Sequence, residues 1–252
     1  YIYENKIQTD MIFQDVSEIT QIDYKHQENT FIEFNREPFI PHFLSMEGPA
    51  FDVADVNNDG LIDLYLGGGK HQPGAIYLQN DRGECKMVVD SVFIRDSHGE
   101  GVDAVFFNAN NDEFPDLYVA KGGNEFFAKM EPLKDCLYFG VGNGRFVKSK
   151  SALPDIYANS ACVRPADIDN DGDMDLYVGN KIDYQVPENG LNLLYRNNQD
   201  DQNYLKVRFL SANGSQSRHG SRIWVYYAHT DSLVGMRDID VGSSGTSQNM
   251  YD

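Results

Sequence analysis

The chain has 252 residues, with Lys+Arg 21 against Asp+Glu 39 and a formal net charge of −18 at pH 7. So acidic a chain is repelled by phosphate backbones and anionic bilayers, which argues against nucleic acid and lipid surfaces as partners. No apolar run approaches the ~20 residues a membrane-spanning helix needs, and Tyr 15 and Phe 15 belong to a folded domain, not a disordered acidic tail.

The sequence opens Tyr1-Ile2-Tyr3-Glu4, without an initiator Met or signal peptide. A processed or trimmed product is expected, with any export signal or lipid anchor lost before Tyr1. Residues 1–47 hold aromatic-rich pieces such as Met11-Ile12-Phe13 and Thr30-Phe31-Ile32-Glu33-Phe34. Pro38 and Pro41 bracket Phe39-Ile40, which disfavours a helix and suits an extended edge. This region is expected to be a lead-in of irregular structure plus one or two strands, packed on the first repeat.

From Gly48 a pattern recurs. A strand of small and apolar residues (Pro49–Ala54, Val102–Phe107, Ala161–Ala166) leads into an acidic loop, then an Asp-Leu-Tyr strand and a glycine turn. A third strand follows (Ala75–Leu78, Cys136–Phe139, Leu193–Tyr195), and in the first two repeats a turn leads to a fourth. The loops start at Asp55, Asn108 and Asp167, 53 and 59 residues apart, a period that marks a repeat architecture. Short strands with Gly/Asn/Asp turns, repeated, predict an all-β fold of β-propeller-type blades with calcium-binding loops. The repeats span 48–98, 99–158 and 159–202. Residues 203–252 break the period and predict a small C-terminal β module, with strands at Tyr204–Leu210, Ile223–Tyr227 and Leu233–Arg237.

The loops carry the chemistry. Alternate carboxylates around a glycine turn can wrap a hard cation, and Ca²⁺ takes six to eight oxygens at about 2.3–2.6 Å. Asp167, Asp169 and Asp171 would supply positions 1, 3 and 5, the backbone carbonyl of Asp173 position 7, and Asp175 position 9. The first loop offers Asp55, Asn57, Asp59, Leu61 (by its carbonyl) and Asp63. The middle loop is a weaker copy: Asn108, Asn110, Asp112, Phe114 and Asp116. Counting carboxylates at positions 1, 3, 5 and 9 gives four, three and two for the third, first and middle loops, the expected order of affinity. Ca²⁺ is therefore expected at two sites, with a third, weaker one. An EF-hand would need a bidentate Glu at position 12 and flanking helices; here position 12 of the third loop is Val178, inside a predicted strand. The alternative without a cation is that these residues form Asx turns. Mg²⁺ suits the site less, because it demands near-octahedral geometry. A structural role is expected, since protein groups fill the positions that a catalytic metal would leave open.

These motifs resemble the FG-GAP/VCBS repeats that integrin-type propellers also carry. Asn203-Tyr204-Leu205-Lys206-Val207, His219-Gly220-Ser221-Arg222-Ile223 and Gly242–Gln248 look like the ASPIC/UnbV module. Phe13-Gln14-Asp15-Val16 and Leu44–Ala50 look like the lead-in of exported bacterial members, many from Bacteroidetes. The middle loop departs from the family at Asn108 and at Glu113-Phe114-Pro115. Three repeats are fewer than the four to eight blades of a closed propeller, so a fragment of a longer chain is expected, with completion of the ring by the N- and C-terminal segments as the alternative. The resemblance implies an extracytoplasmic protein, secreted or at the cell surface or outer membrane.

No catalytic residue emerges. Gly242-Ser243-Ser244-Gly245 is not G-x-S-x-G, and Gly67-Gly68-Gly69-Lys70 lacks the remainder of a phosphate loop. Six histidines lie outside any metal-ligand spacing. Cys85, Cys136 and Cys162 contain no C-x-x-C pair and are expected as buried or partly buried thiols, with one disulfide as the alternative. The expected function is a non-enzymatic, calcium-stabilised binding or scaffold module for a protein or glycan partner. Contact surfaces would lie in the Gly69–Gly74 turn, the Asn124–Pro132 loop or the Lys181–Asn189 loop with Tyr184. A propeller hydrolase or lyase acting on polysaccharide, with a carboxylate pair drawn from Glu33, Glu37, Glu47 or Glu100, is the alternative.

Overall fold

A computed structural model describes residues 12–35, 38, 45–46, 48–88, 90–126, 129–181, 190–199 and 222–238. Within them each repeat folds into its own antiparallel sheet, with hairpin neighbours paired in chain order. The first sheet runs β1 (Phe51–Ala54), β2 (Asp63–Leu66), β3 (Ala75–Gln79), β4 (Cys85–Val88). The second runs β5 (Glu100–Phe107), β6 (Asp116–Gly122), β7 (Cys136–Gly140), β8 (Phe146–Lys148). The third has β9 (Ser160–Ala166), β10 (Asp175–Asn180) and β11 (Leu193–Tyr195). A separate hairpin pairs β12 (Arg222–Tyr226) with β13 (Leu233–Asp238). The fold is all-β, as the turn spacing and β-branched runs led one to expect. The expected strand at Tyr204–Leu210 lies outside the described residues.

Burial explains why the second sheet is the most apolar. Every residue of β5 and β6 is buried, and period-two alternation sends the two sets of side chains in opposite directions. Ala104, Phe106, Leu117, Val119, Cys136 and Tyr138 pack toward the first sheet with Tyr65 and Ile76. Val105, Phe107, Tyr118, Ala120 and Leu137 pack toward the third sheet with Val163, Leu176 and Val178. The central layer is thus covered on both faces, while the third sheet leaves Tyr177 and Leu194 exposed.

Polar pins hold the layers together. Phe106 N donates to Asp52 Oδ2 at 2.5 Å, and Val163 N donates to Asp103 Oδ2 at 2.9 Å. Each joins the first strand of one sheet to that of the next. Gly122 sits where a Cβ would meet the Ser160 carbonyl oxygen at 2.6 Å, so a larger residue there would push the second and third sheets apart.

A helix the sequence did not announce, α1 in the lead-in (Ser17–Thr20), is a single turn, and a second, α2 (Ser91–Arg95), links the first two sheets. Asp90 begins α2: its Oδ1 accepts from Val92 N and its Oδ2 from Phe146 N. One carboxylate thereby caps the helix and anchors it to β8. Phe93 packs against Tyr65, Tyr138 and Phe146 at ring-centroid distances of 5.6, 5.2 and 5.8 Å.

The extended edge expected around Phe39-Ile40 lies outside the described residues. Glu33–Asn35 is a 3-10 turn, and no described residue before Phe51 forms a strand. Local side chains take the groups a ladder would use: Asn29 Oδ1 accepts from Phe31 N, and buried Glu33 accepts from Ser45 N. Residues 23–27 nevertheless lie along the first sheet. Tyr24 Oη donates to Gly67 O, Tyr77 Oη to Asp23, and Gln72 exchanges hydrogen bonds with Gln27 N and Lys25 O. The three cysteines are free thiols. Among the described residues, no helix is long and apolar enough to cross a membrane.

Candidate metal centres

The acidic loops all join the first strand of a sheet to its second, and all turn in the same way. Position 4 is left-handed in each: Asn58 (φ 60°), Asn111 (φ 58°) and Asn170 (φ 63°). Asn tolerates this conformation because its short polar side chain bonds locally. Position 6 is also left-handed in the outer loops, Gly60 at 87° and Gly172 at 102°, whereas Glu113 in the middle loop has no positive φ. The departure at Glu113-Phe114 therefore changes the backbone path. Phe114 instead lays its ring against Gly142, with its Cβ beside Gly140.

Position 9 is the shared anchor. Asp63, Asp116 and Asp175 are buried, and each accepts two backbone amides. One oxygen takes the amide of loop position 2 (Val56, Ala109, Ile168) at 3.0, 2.8 and 3.0 Å. The other takes an amide at or just beyond the end of the third strand (Gln79, Gly140, Asn197) at 2.9, 2.9 and 2.8 Å. The carboxylate clamps the loop's start to the far side of its own sheet. An ionised carboxylate offers about four lone-pair sites, so two amides leave room for a cation. Burial pushes Asp63 up to about 7, reinforced by Asp59 and Asp55 and opposed by its two amides. Burial likewise raises Asp116 to about 6.

At positions 1, 3 and 5 the loops diverge. In the first, Asp55 is buried and accepts from Asp59 N and Gly60 N, at 3.1 and 2.8 Å. Asn57 accepts from Asp59 N with its Oδ1 and donates to Asp59 Oδ2 with its Nδ2 at 2.9 Å. The middle loop repeats this: Asn110 Nδ2 donates to Asp112 Oδ2 at 2.7 Å, and Asn108 Nδ2 donates to Asp112 O. In the third loop position 3 is a carboxylate with no such amide. Asp167, Asp169 and Asp171 bring one oxygen each to within 4.8 Å of one another. Asp167 is half-buried, the other two exposed. Asp169 is raised from its ordinary value, first by desolvation and then by neighbouring Asp171 and Asp175, against the lowering effect of the Asp171 backbone amide. Among the described residues this is the one cluster of three or more His, Cys, Asp or Glu side chains that could hold a metal ion. Hard oxygen donors, and none of nitrogen or sulfur, fit Ca²⁺ or a similar hard cation.

Asp173, expected at position 7 through its backbone carbonyl, also has a buried side chain that accepts from Asn111 Nδ2 at 2.8 Å. Asn58 Nδ2 likewise donates to Glu113 O at 2.8 Å. The left-handed Asn of the first and middle loops reaches into the next, tying first to middle and middle to third. Sequence reasoning used these asparagines only as turn formers, although one at position 4 of all three loops was the visible signal. Leu61 and Phe114, the other position-7 residues, are half-buried.

The remaining candidates are scattered. The Gly69–Gly74 turn lies against the lead-in. Asn124–Pro132 is described except at 127–128, and residues 182–189 with Tyr184 lie outside the described residues.

Comparison with known families finds an FG-GAP-like repeat at residues 108–178, from the first position of the middle loop to β10. Curated proteins give no match. The chain carries an FG-GAP-like repeat, and that repeat holds both the weaker middle loop and the clustered third one.

Proposed function

We propose that the chain is a calcium-stabilised, non-enzymatic binding module built from propeller-type blades, working outside the cytoplasm on a protein or glycan partner. The convergence of Asp167, Asp169 and Asp171 oxygens within 4.8 Å carries the metal part of this proposal, because such a cluster repels itself until a cation enters. Three sheets layered face to face, each pinned to the next by an aspartate on its first strand, favour blades over independent domains. The metal's place is structural: it closes the turn between the first two strands and so sets how one sheet meets the next. Extracellular modules bind Ca²⁺ at about 10⁻⁴–10⁻³ M, which fits a calcium-rich compartment and hence secretion or the cell surface. The β12–β13 hairpin is proposed as part of an ASPIC/UnbV-like module, on the sequence resemblance at 203–207 and 219–223.

Calorimetric titration of Ca²⁺ into chelator-stripped protein tests this reading. One strong site at the third loop, lost in Asp171→Ala, is expected, with a weaker event from the first loop. Absence of heat and of any rise in melting temperature would leave the loops as Asx turns alone.

A further inference from the structure

The end of the second sheet opposite the acidic loops carries the reverse charge. β6 has Asp116 at its loop end and Lys121 five residues on, about 17 Å away at strand spacing. Around Lys121 lies an open cavity of about 450 Å³, inside the range of roughly 300–1,000 Å³ typical of ligand sites. Five cationic side chains line it (Arg95, Lys121, Lys134, Lys148, Lys150) against three acidic ones (Asp96, Glu131, Asp135). In a chain of net charge −18 this local excess runs against the global field.

Lys121 is the telling member. It is only 7% exposed, and a buried ammonium is costly unless an anion faces it. Its Nζ instead donates weakly to two wall carbonyls, Asp96 O at 3.4 Å and Gly99 O at 3.3 Å. The nearby carboxylate of Asp135 feels the Lys121 charge, but its hydrogen bonds come from Tyr118 Oη at 2.6 Å, Lys121 N at 2.6 Å and Ser160 Oγ at 3.0 Å, none of them from Lys121 Nζ. Lys148 is paired with Asp96 and Lys134 with Asp155. Arg95 and Lys150 are exposed at the mouth.

We propose that this cavity binds an acidic sugar residue, a ring carrying a carboxylate or sulfate. Lys121 and the mouth cations receive the oxyanion. Pro132, Leu137 and Leu153 in the wall offer apolar surface to the ring face, and exposed Glu131 can accept from ring hydroxyls. A bare oxyanion would use the charge and leave the remaining wall and volume without a purpose. The inference deepens the binding-module proposal by naming a ligand class, and it does not depend on calcium.

The test uses the full chain in saturating Ca²⁺, titrated with glucuronate and with galactose 6-sulfate. Neutral galactose, inorganic sulfate and a short poly-glutamate peptide serve as comparators. Millimolar binding of one acidic sugar, at least about tenfold tighter than galactose, is expected, together with about a tenfold loss in Lys121→Met. The double variant Arg95→Ala/Lys150→Ala, altered only at exposed positions, should weaken binding several-fold even if Lys121→Met folds poorly. Equal binding of galactose, equal binding of sulfate or peptide, or no acidic-sugar binding overturns the proposal, as does indifference to the double variant. Calcium titrations of the same samples separate the two claims: a silent Ca²⁺ titration with retained sugar binding defeats the metal reading alone.

Discussion

Position 3 is Asn57 in the first acidic loop and Asp169 in the third, and that exchange of an amide for a carboxylate changes how the loop is closed. In the first loop the Asn57 amide donates to Asp59 and Asp55 accepts two backbone amides. In the third loop no side-chain amide intervenes: backbone amides still donate, Asp171 N to Asp169 Oδ1 at 3.3 Å and Asp173 N to Asp171 Oδ1 at 3.0 Å, while three carboxylate oxygens gather within 4.8 Å. The middle loop follows the first, with Asn110 in the amide's place. One backbone design thus carries an amide or a carboxylate at position 3, and under the calcium proposal that side chain sets how far the loop depends on a cation.

What the loops share should cost most to remove. Asp116→Ala strips two backbone amides of a buried acceptor, and a loss of roughly 3–5 kcal/mol is expected from denaturant unfolding. Metal-free and calcium-saturated protein should suffer alike, since this clamp belongs to the sheet. Next comes the metal itself: at 100 times its dissociation constant Ca²⁺ should stabilise the parent by about 2.7 kcal/mol, and Asp171→Ala should abolish the larger part of that gain. A smaller effect comes from making the loops alike. Asp169→Asn should raise metal-free stability by about 1 kcal/mol while lowering calcium affinity, and Asn57→Asp should do the opposite to the first loop. Smaller still, Asn111→Ala removes the bridge to Asp173 and should cost about 1 kcal/mol or less, read as a shift in urea midpoint.

A pH effect sharpens the same contrast. Asp63 is raised to about 7 by burial and by Asp59 and Asp55. With its folded pKa above its unfolded value, the metal-free folded state holds the extra proton, so this group's contribution to stability falls as pH rises from about 4 through 7. Ca²⁺ binding at the first loop favours the ionised carboxylate. Calorimetry in buffers of different ionisation enthalpy should then show proton release near pH 6.5 that fades above pH 8.

The strands were legible because the repeats announce themselves: Asp-Leu-Tyr at 63–65, 116–118 and 175–177 starts the second strand of each of the three repeat sheets. Carboxylates at alternate positions likewise marked the loops. Less legible were features that depend on a neighbour in space. Asn58 and Asn111 read as turn residues until the adjacent loop comes within reach. Lys121 reads as a charge closing an apolar strand, and only the fold puts it in a wall with Lys134 and Lys148. The 3-10 turn at Glu33–Asn35 was also not legible, since Asn29 takes the Phe31 amide and Glu33 is held by Ser45 N twelve residues on. α2 escaped because five residues between Asp90 and Asp96 carry too little periodicity to show a helix.

The most direct test compares calorimetric Ca²⁺ titrations of chelator-stripped parent, Asp169→Asn and Asn57→Asp. The tightest event should weaken in Asp169→Asn, and the first-loop event should strengthen in Asn57→Asp, each with a matching change in melting temperature. If all three proteins titrate identically, or none responds, position 3 does not decide how these loops are closed.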